Sequence, residues 1–220
     1  MGGSVYQTRG GCASRNMVQN EELRVVLFDV GGVLVENSGI STMIAWMGGN
    51  VSQEELFKKW LTSPAIRSFE TGMTTAPAFA DQLIAEMALP VCRDMFLEEF
   101  TRWPSRLFTG AIDLVQRIPK RYTRATLSNT NLLHWPRIME EMHLAEAFDY
   151  HFPSHLTGKI KPDEEAFRFV INALKCSAPE VLFLDDSRLN VEAARSYGIN
   201  AVQVDGIAAA ERALEEFGVI

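Results

Sequence analysis

Arg24-Val25-Val26-Leu27-Phe28-Asp29-Val30-Gly31-Gly32 is the stretch that decides the reading of this chain. It is apolar and rich in β-branched residues through Phe28, and it stops at two glycines. That pattern predicts a buried strand with a tight turn at its carboxyl end. Asp29 then sits at the tip of the strand, where a partly desolvated carboxylate is costly unless a cation stands beside it. Taken alone, Asp29 reads equally well as the N-cap of a following helix.

Working outward, the same pattern recurs. Tyr122 to Leu127 is a strand ended by Ser128-Asn129-Thr130-Asn131, and Val181 to Leu184 is one ended by Asp185-Asp186-Ser187. Phe148 to Phe152 and Ala201 to Val204 are further strands. Helical patterns fill the gaps at Ala111 to Ile118, Glu164 to Leu174 and Asn190 to Tyr197, the last stopping at Gly198. Strands alternating with amphipathic helices predict an α/β fold with a parallel sheet covered on both faces. In such sheets the ligand lies beyond the carboxyl ends of the strands, where every polar cluster named above falls.

One region breaks the alternation. From about Ser38 to Trp103 the pattern is helical only, and Ser52 with Glu55 forms a capping box. This reads as a helical subdomain over residues 38–103, inserted into a core made of residues 22–37 and 104–220. Residues 1–21 are polar and contain Gly and Ser, so they read as a disordered or added leader, with Met17 as a candidate start. They hold no apolar stretch long enough for a signal peptide.

Composition narrows the function classes. The chain has 220 residues, 47% hydrophobic and 22% charged, enough for one domain plus a modest insertion. A net charge of −7 without a basic cluster argues against a nucleic-acid partner. The short run Lys120 to Arg124 reads as a solvated helix end leading into a strand. No charge-free run is long enough to span a membrane. Cys12, Cys92 and Cys176 are odd in number and scattered, which suits inert thiols in a reducing cytoplasm rather than a disulfide framework.

Asp185 and Asp186 change the weight of Asp29. Adjacent acids in a crevice repel each other, and a divalent cation with a preference for hard oxygen ligands, such as Mg²⁺, removes that repulsion. The bland reading makes one acid a helix cap and leaves the other solvated. Three acids at one sheet edge favour the metal. Ser128 and Lys161 are a turn hydroxyl and a surface lysine when read singly. Beside a metal-bound carboxylate they can hold phosphoryl oxygens and offset their charge.

With these residues in order, the chain resembles the haloacid dehalogenase-like (HAD) hydrolases, whose four motifs stand at successive strand ends. Phe28-Asp29-Val30-Gly31-Gly32-Val33-Leu34 matches the motif that begins with the nucleophilic aspartate. Leu127-Ser128-Asn129 matches the phosphoryl-binding motif. Gly158-Lys159-Ile160-Lys161-Pro162-Asp163 and Leu184-Asp185-Asp186-Ser187-Arg188-Leu189-Asn190 match the lysine and acidic metal motifs. The resemblance spans roughly Arg24 to Val204 and implies a Rossmann-like three-layer core, with residues 38–103 as a helical cap. It further implies a Mg²⁺-dependent phosphatase acting on a small phosphorylated metabolite through an aspartyl phosphate. Asp29, Ser128 and Lys161 would be catalytic, Ser128, Asn129 and Lys161 would bind substrate, and Asp29, Gly31, Asp185 and Asp186 would hold the metal. Asn190 would orient a metal-bound water. The longer run through Asn131 and His134 is similar to a branch that contains bacterial α-glucose 1-phosphate phosphatases, so a sugar phosphate is the favoured substrate.

Gly31 departs from the family pattern. The usual motif reads Asp-x-Asp, and its second aspartate protonates the leaving group; losing a general acid typically costs about 10²–10⁴ in rate. Glycine still offers the backbone carbonyl that family members give to Mg²⁺, and the sugar-phosphatase branch also carries glycine there. A water or a residue of the cap would then supply the proton. Two alternatives remain: a non-catalytic phospho-ligand sensor or interaction protein, and a metal-independent 2-haloacid dehalogenase, which shares the fold but usually lacks the paired acids.

Overall fold

The computed structural model describes residues 23–220; the expected leader over residues 1–21, with Cys12 and Met17, lies outside the described residues. In chain order the strands are β1 (Val25–Phe28), β2 (Val35–Asn37), β3 (Pro104–Leu107), β4 (Thr123–Ser128), β5 (Tyr150–Pro153), β6 (Val181–Asp185) and β7 (Asn200–Gln203). Five of them form a parallel sheet in the order β5-β4-β1-β6-β7. Between β2 and β3 lie five helices: α1 (Gly39–Trp46), α2 (Gln53–Thr62), α3 (Pro64–Glu70), α4 (Ala76–Met87) and α5 (Arg93–Thr101). The rest are α6 (Ala111–Arg117), α7 (His134–Pro136, running into a π-helical turn), α8 (Ser154–Thr157), α9 (Glu164–Leu174), α10 (Arg188–Ser196) and α11 (Gly206–Glu216).

The two-residue period of a strand explains the layers. Val26 and Phe28 of β1 face Leu114 and Val115 of α6 and Leu214 of α11. Val25 and Leu27 face the opposite layer, with Phe167 and Val170 of α9 and Val191 and Ala194 of α10. A strand covered on both sides must be apolar on both sides, hence the unbroken Val-Val-Leu-Phe run. This is the three-layer α/β core with a parallel sheet that the alternation predicts.

Chain order reverses at β1, which has β4 on one side and β6 on the other. The register pairs Phe28 with Thr126 and with Leu184. Asp29 therefore emerges beside the carboxyl ends of both neighbours, at the switch point where ligands bind in open parallel sheets.

Helices α1–α5 bury their apolar faces against one another, in a cluster distinct from the two that flank the sheet. Phe69 and Phe79 stack at 4.2 Å between ring centroids, and Phe100 lies 5.1 Å from Phe79. The capping box forms at α2: the Ser52 hydroxyl accepts from the Glu55 amide at 3.2 Å, and the Glu55 carboxylate accepts from the Ser52 amide at 2.9 Å.

The helical stretch is carried by a short antiparallel ribbon, β2 with β3, that the sequence pattern does not signal. Val-Glu-Asn and Pro-Ser-Arg-Leu are too short and too polar to show a strand period, and one begins with proline. Helix α11 beyond Val204 likewise goes beyond the elements expected. Both described cysteines are free thiols; Cys92 is exposed before α5 rather than buried. Among the described residues no helix is long and apolar enough to cross a membrane.

His134 fastens the helical layer to the core. Its Nε2 donates to the Phe100 carbonyl at 2.7 Å, its Nδ1 accepts from the Asn131 amide at 3.1 Å, and its ring stacks on Phe100. Burial holds its pKa down at about 4, against the pull of the Phe100 carbonyl. A folded pKa below the unfolded value of about 6.5 means that the unfolded chain takes up the proton first, so stability falls as pH drops from about 6.5 to 4. Between pH 7 and 4 the wild type is expected to lose roughly 3 kcal/mol more unfolding free energy than His134→Asn, as follows from the gap between those two values. Urea denaturation of both proteins at the two pH values measures the difference, and equal losses would contradict it.

Candidate active site

Four elements converge beyond the carboxyl ends of β1, β4 and β6. The amide of Asp29 donates to the Leu184 carbonyl at 2.8 Å, which fixes the nucleophile candidate at the tip of β1. Asp185 ends β6 and is fully buried. Its carboxylate accepts from the Ser187 amide at 2.8 Å and from the Asn190 side chain at 3.0 and 3.1 Å. Lys161 lies on the loop between α8 and α9 and reaches in between, 2.8 Å from Asp29 Oδ1 and 2.6 Å from Asp185 Oδ2.

The charges do not balance. Oxygens of Asp29, Asp185 and Asp186 all lie within 4.8 Å of one another, and one ammonium stands among them. Three carboxylates and one cation leave a formal deficit of two positive charges. Burial, with Asp185 and Asp186 adding, pushes Asp29 up to about 7 despite Lys161. Partial desolvation and the charge of Asp185 push Asp186 up to about 6. For Lys161, desolvation pulls downward, but Asp185 and Asp29 outweigh it and hold the ammonium charged. An all-oxygen cluster short of two charges fits a hard divalent cation such as Mg²⁺.

Asp186 owes its position to a glycine. A Cβ on Gly32 would lie 2.1 Å from Asp186 Oδ2, and Gly32 has φ +72°, a backbone region costly for any other residue. At Gly31 the situation is opposite, for a Cβ there would meet no atom within 4 Å. The space that the family's second aspartate would occupy is open rather than packed.

The structure refines the roles read from the sequence. Asp29, Lys161, Asp185 and Asp186 meet as expected, and Ser128 lies buried at the end of β4, next to β1 in the sheet. Asn129, expected at the substrate, has both side-chain atoms committed to the backbone of Lys161: Nδ2 donates to its carbonyl at 2.8 Å and Oδ1 accepts from its amide at 2.9 Å. Asn190, expected at a metal-bound water, donates from Nδ2 to both oxygens of Asp185 and lines the cavity. Ser154 is a positioning group that no motif signals; its hydroxyl accepts from the Thr130 amide at 2.9 Å and donates to the Thr130 carbonyl at 3.0 Å.

Above these groups is a cavity of about 630 Å³. Gly31, Asn129, Lys161, Asp186 and Asn190 form its floor, and Met43, Trp60, Ile66 and Glu70 of the helical layer form part of its wall. Burial pushes the Glu70 carboxyl up to about 8, against a hydrogen bond with Trp60 and the charge of Lys161. Spacing does not reveal Glu70, because packing among α1–α5 alone brings it to the cavity.

The two glycines separate in a test. Gly32→Ala is expected to cost about 1–3 kcal/mol from its positive φ and to displace Asp186. Gly31→Ala is expected within about 0.5 kcal/mol of wild type. Chemical denaturation and calorimetric Mg²⁺ titration check the pair, and equal behaviour of both variants would refute the assignment of Asp186 to the Gly32 cradle.

Comparison with known proteins places these observations. The sequence profile described as haloacid dehalogenase-like hydrolase matches residues 23–198. The chain is 30% identical over 207 residues to acyl-CoA dehydrogenase family member 10 of Mus musculus, covering 87% of this chain and 19% of that protein. It thus spans about a fifth or less of the first curated relatives that it matches. Phosphoglycolate phosphatase of Pseudomonas putida is 23% identical over 189 residues, covering 81% of this chain and 68% of that one. A HAD family enzyme of Bacteroides thetaiotaomicron, solved in complex with magnesium and inorganic phosphate, superposes with a TM-score of 0.67 at 23% identity, over 83% of this chain and 94% of the other.

Proposed function

Because the chain belongs to the haloacid dehalogenase-like hydrolases, we propose that it hydrolyses the phosphate monoester of a small metabolite, a sugar phosphate by preference, through an aspartyl phosphate on Asp29. The observation that carries this reading is the Lys161 ammonium, 2.8 Å from Asp29 and 2.6 Å from Asp185, beside a cluster short of two positive charges. The magnesium and phosphate bound by the B. thetaiotaomicron enzyme, and the activity named for the P. putida relative, support it.

Asp29, the Gly31 carbonyl, Asp185 and Asp186 would hold Mg²⁺, which when bound supplies Lewis-acid polarisation of the phosphoryl group and shields its charge. Asp29 attacks phosphorus in line, with its own amide anchored so that the carboxylate is already aimed. Lys161 and Ser128 stabilise the transferring group, and Asn129 keeps the Lys161 backbone in place. Water then cleaves the aspartyl phosphate, while the helical layer limits access of bulk solvent. The paired acids at the end of β6 favour this chemistry over metal-independent dehalogenation.

The expected result is Mg²⁺-dependent phosphate release from p-nitrophenyl phosphate and from some members of a sugar-phosphate panel, abolished by EDTA and reduced at least ~10³-fold in Asp29→Asn, as for loss of a nucleophile. Sugar-phosphate binding without turnover in folded protein would replace the enzyme with a sensor. Halide release from 2-chloropropionate in EDTA would replace it with a dehalogenase.

A further inference from the structure

The Asp-x-Asp motif is broken at Gly31, so a phosphatase built on this chain needs another donor for the leaving-group oxygen. Several ionisable side chains line the cavity, and most are committed elsewhere. Glu36 pairs with Arg106 at 3.1 Å. Both ring nitrogens of His134 are engaged. Lys161 bridges Asp29 and Asp185, and Arg67 pairs with Asp163. Asp186 belongs to the acidic cluster.

Glu70 remains. It is the last residue of α3 and lines the same cavity as Gly31, Lys161 and Asp186. Helix α3 is seated on the core at two places. Arg67 pairs with Asp163 just past Lys161, and the turn after the helix packs so closely that a Cβ on Gly72 would lie 2.4 Å from the His155 carbonyl oxygen. Glu70 thus lines the cavity from an element that touches the core at both of these places.

We propose that Glu70 is the general acid of this enzyme, acting from the cap in place of the aspartate absent at Gly31; this rests on the phosphatase reading above. As Asp29 attacks phosphorus, the bond from phosphorus to the ester oxygen breaks. The departing oxygen takes the proton of the Glu70 carboxyl, giving the free alcohol and a Glu70 carboxylate. In the second step water attacks the aspartyl phosphate and gives its proton to that carboxylate. The bond from phosphorus to Asp29 breaks, phosphate leaves, and both acids return to their starting forms. Desolvation at the cavity wall raises the half-buried Glu70 carboxyl, the direction that suits a proton donor; the charged groups acting on it are Lys161 and Asp29.

The test compares two esters with different leaving groups. p-Nitrophenolate departs without a proton, whereas a sugar alkoxide needs one. Glu70→Gln is expected to lower kcat/KM for a sugar phosphate by about 10²–10⁴, the usual range for a lost general acid. For p-nitrophenyl phosphate kcat/KM, which covers only the steps up to departure of the leaving group, is expected to fall far less than for the sugar phosphate. By contrast, kcat can fall on both esters through the shared second step; circular dichroism reports separately that the variant is folded. Adding Gly31→Asp, for which there is open space, is expected to restore sugar-phosphate turnover at least tenfold. Equal loss of kcat/KM on both esters would make Glu70 structural, and no selective loss would leave it without a role in proton transfer; either overturns the proposal. Wild-type protein inactive on both esters overturns the phosphatase reading, and the proposal with it.

Discussion

The ammonium of Lys161 sits between two carboxylates in the interior, and the arrangement around it follows from the cost of putting charge there. Removing an isolated ion from water costs several kcal/mol even after the surroundings relax. The chain meets that cost with geometry: two carboxylates at 2.8 and 2.6 Å, and Asn190 and the Ser187 amide turned onto the remaining lone pairs of Asp185. Asn129 clamps the Lys161 backbone, so the loop cannot retreat and leave the acids unpaired. Each element of the core thereby acquires an electrostatic reason for its place. β1 and β6 deliver the acids, β4 ends in the segment that holds the lysine loop, and α10 brings the amide that steadies Asp185.

Much of this is legible in the residues. The Val-Val-Leu-Phe run forecasts a strand covered on both faces, because only that environment rewards apolar residues at consecutive positions. Asp29, Asp185 and Asp186 stand out because they end predictable strands, whereas Lys161 is legible only from the ordered set of motifs. What escapes has a common cause. The hydrogen bonds of Asn129 to the Lys161 backbone and of Asn190 to Asp185 depend on which partner lies within reach, and spacing does not encode that. The β2–β3 ribbon is too short and polar to impose a period, although all five helices of the inserted layer lie between its strands. Glu70 belongs to no strand end; it reaches the cavity only because Phe69 beside it is locked into the aromatic cluster of the cap.

Gly31 and Gly32 show how two identical residues carry unlike constraints. Gly32 is required twice, by its backbone angle and by the acid pressed against it. Gly31 is required by neither, and a Cβ there would enter open space at the turn after Asp29. With no side chain at Gly31 on the floor and Glu70 on the wall of the same cavity, the proposed acid would stand on the helical layer rather than on the strand end.

The pairing of Arg67 with Asp163 takes on a different meaning in this light. Arg67 belongs to α3, and Asp163 follows Lys161 by two residues, so the pair ties the helical layer to the loop that carries the ammonium. Both partners are well exposed, at 58% and 40%, and such pairs weaken as salt screens them. Rising ionic strength is therefore expected to loosen this one tie while leaving the buried Lys161 pairs nearly untouched.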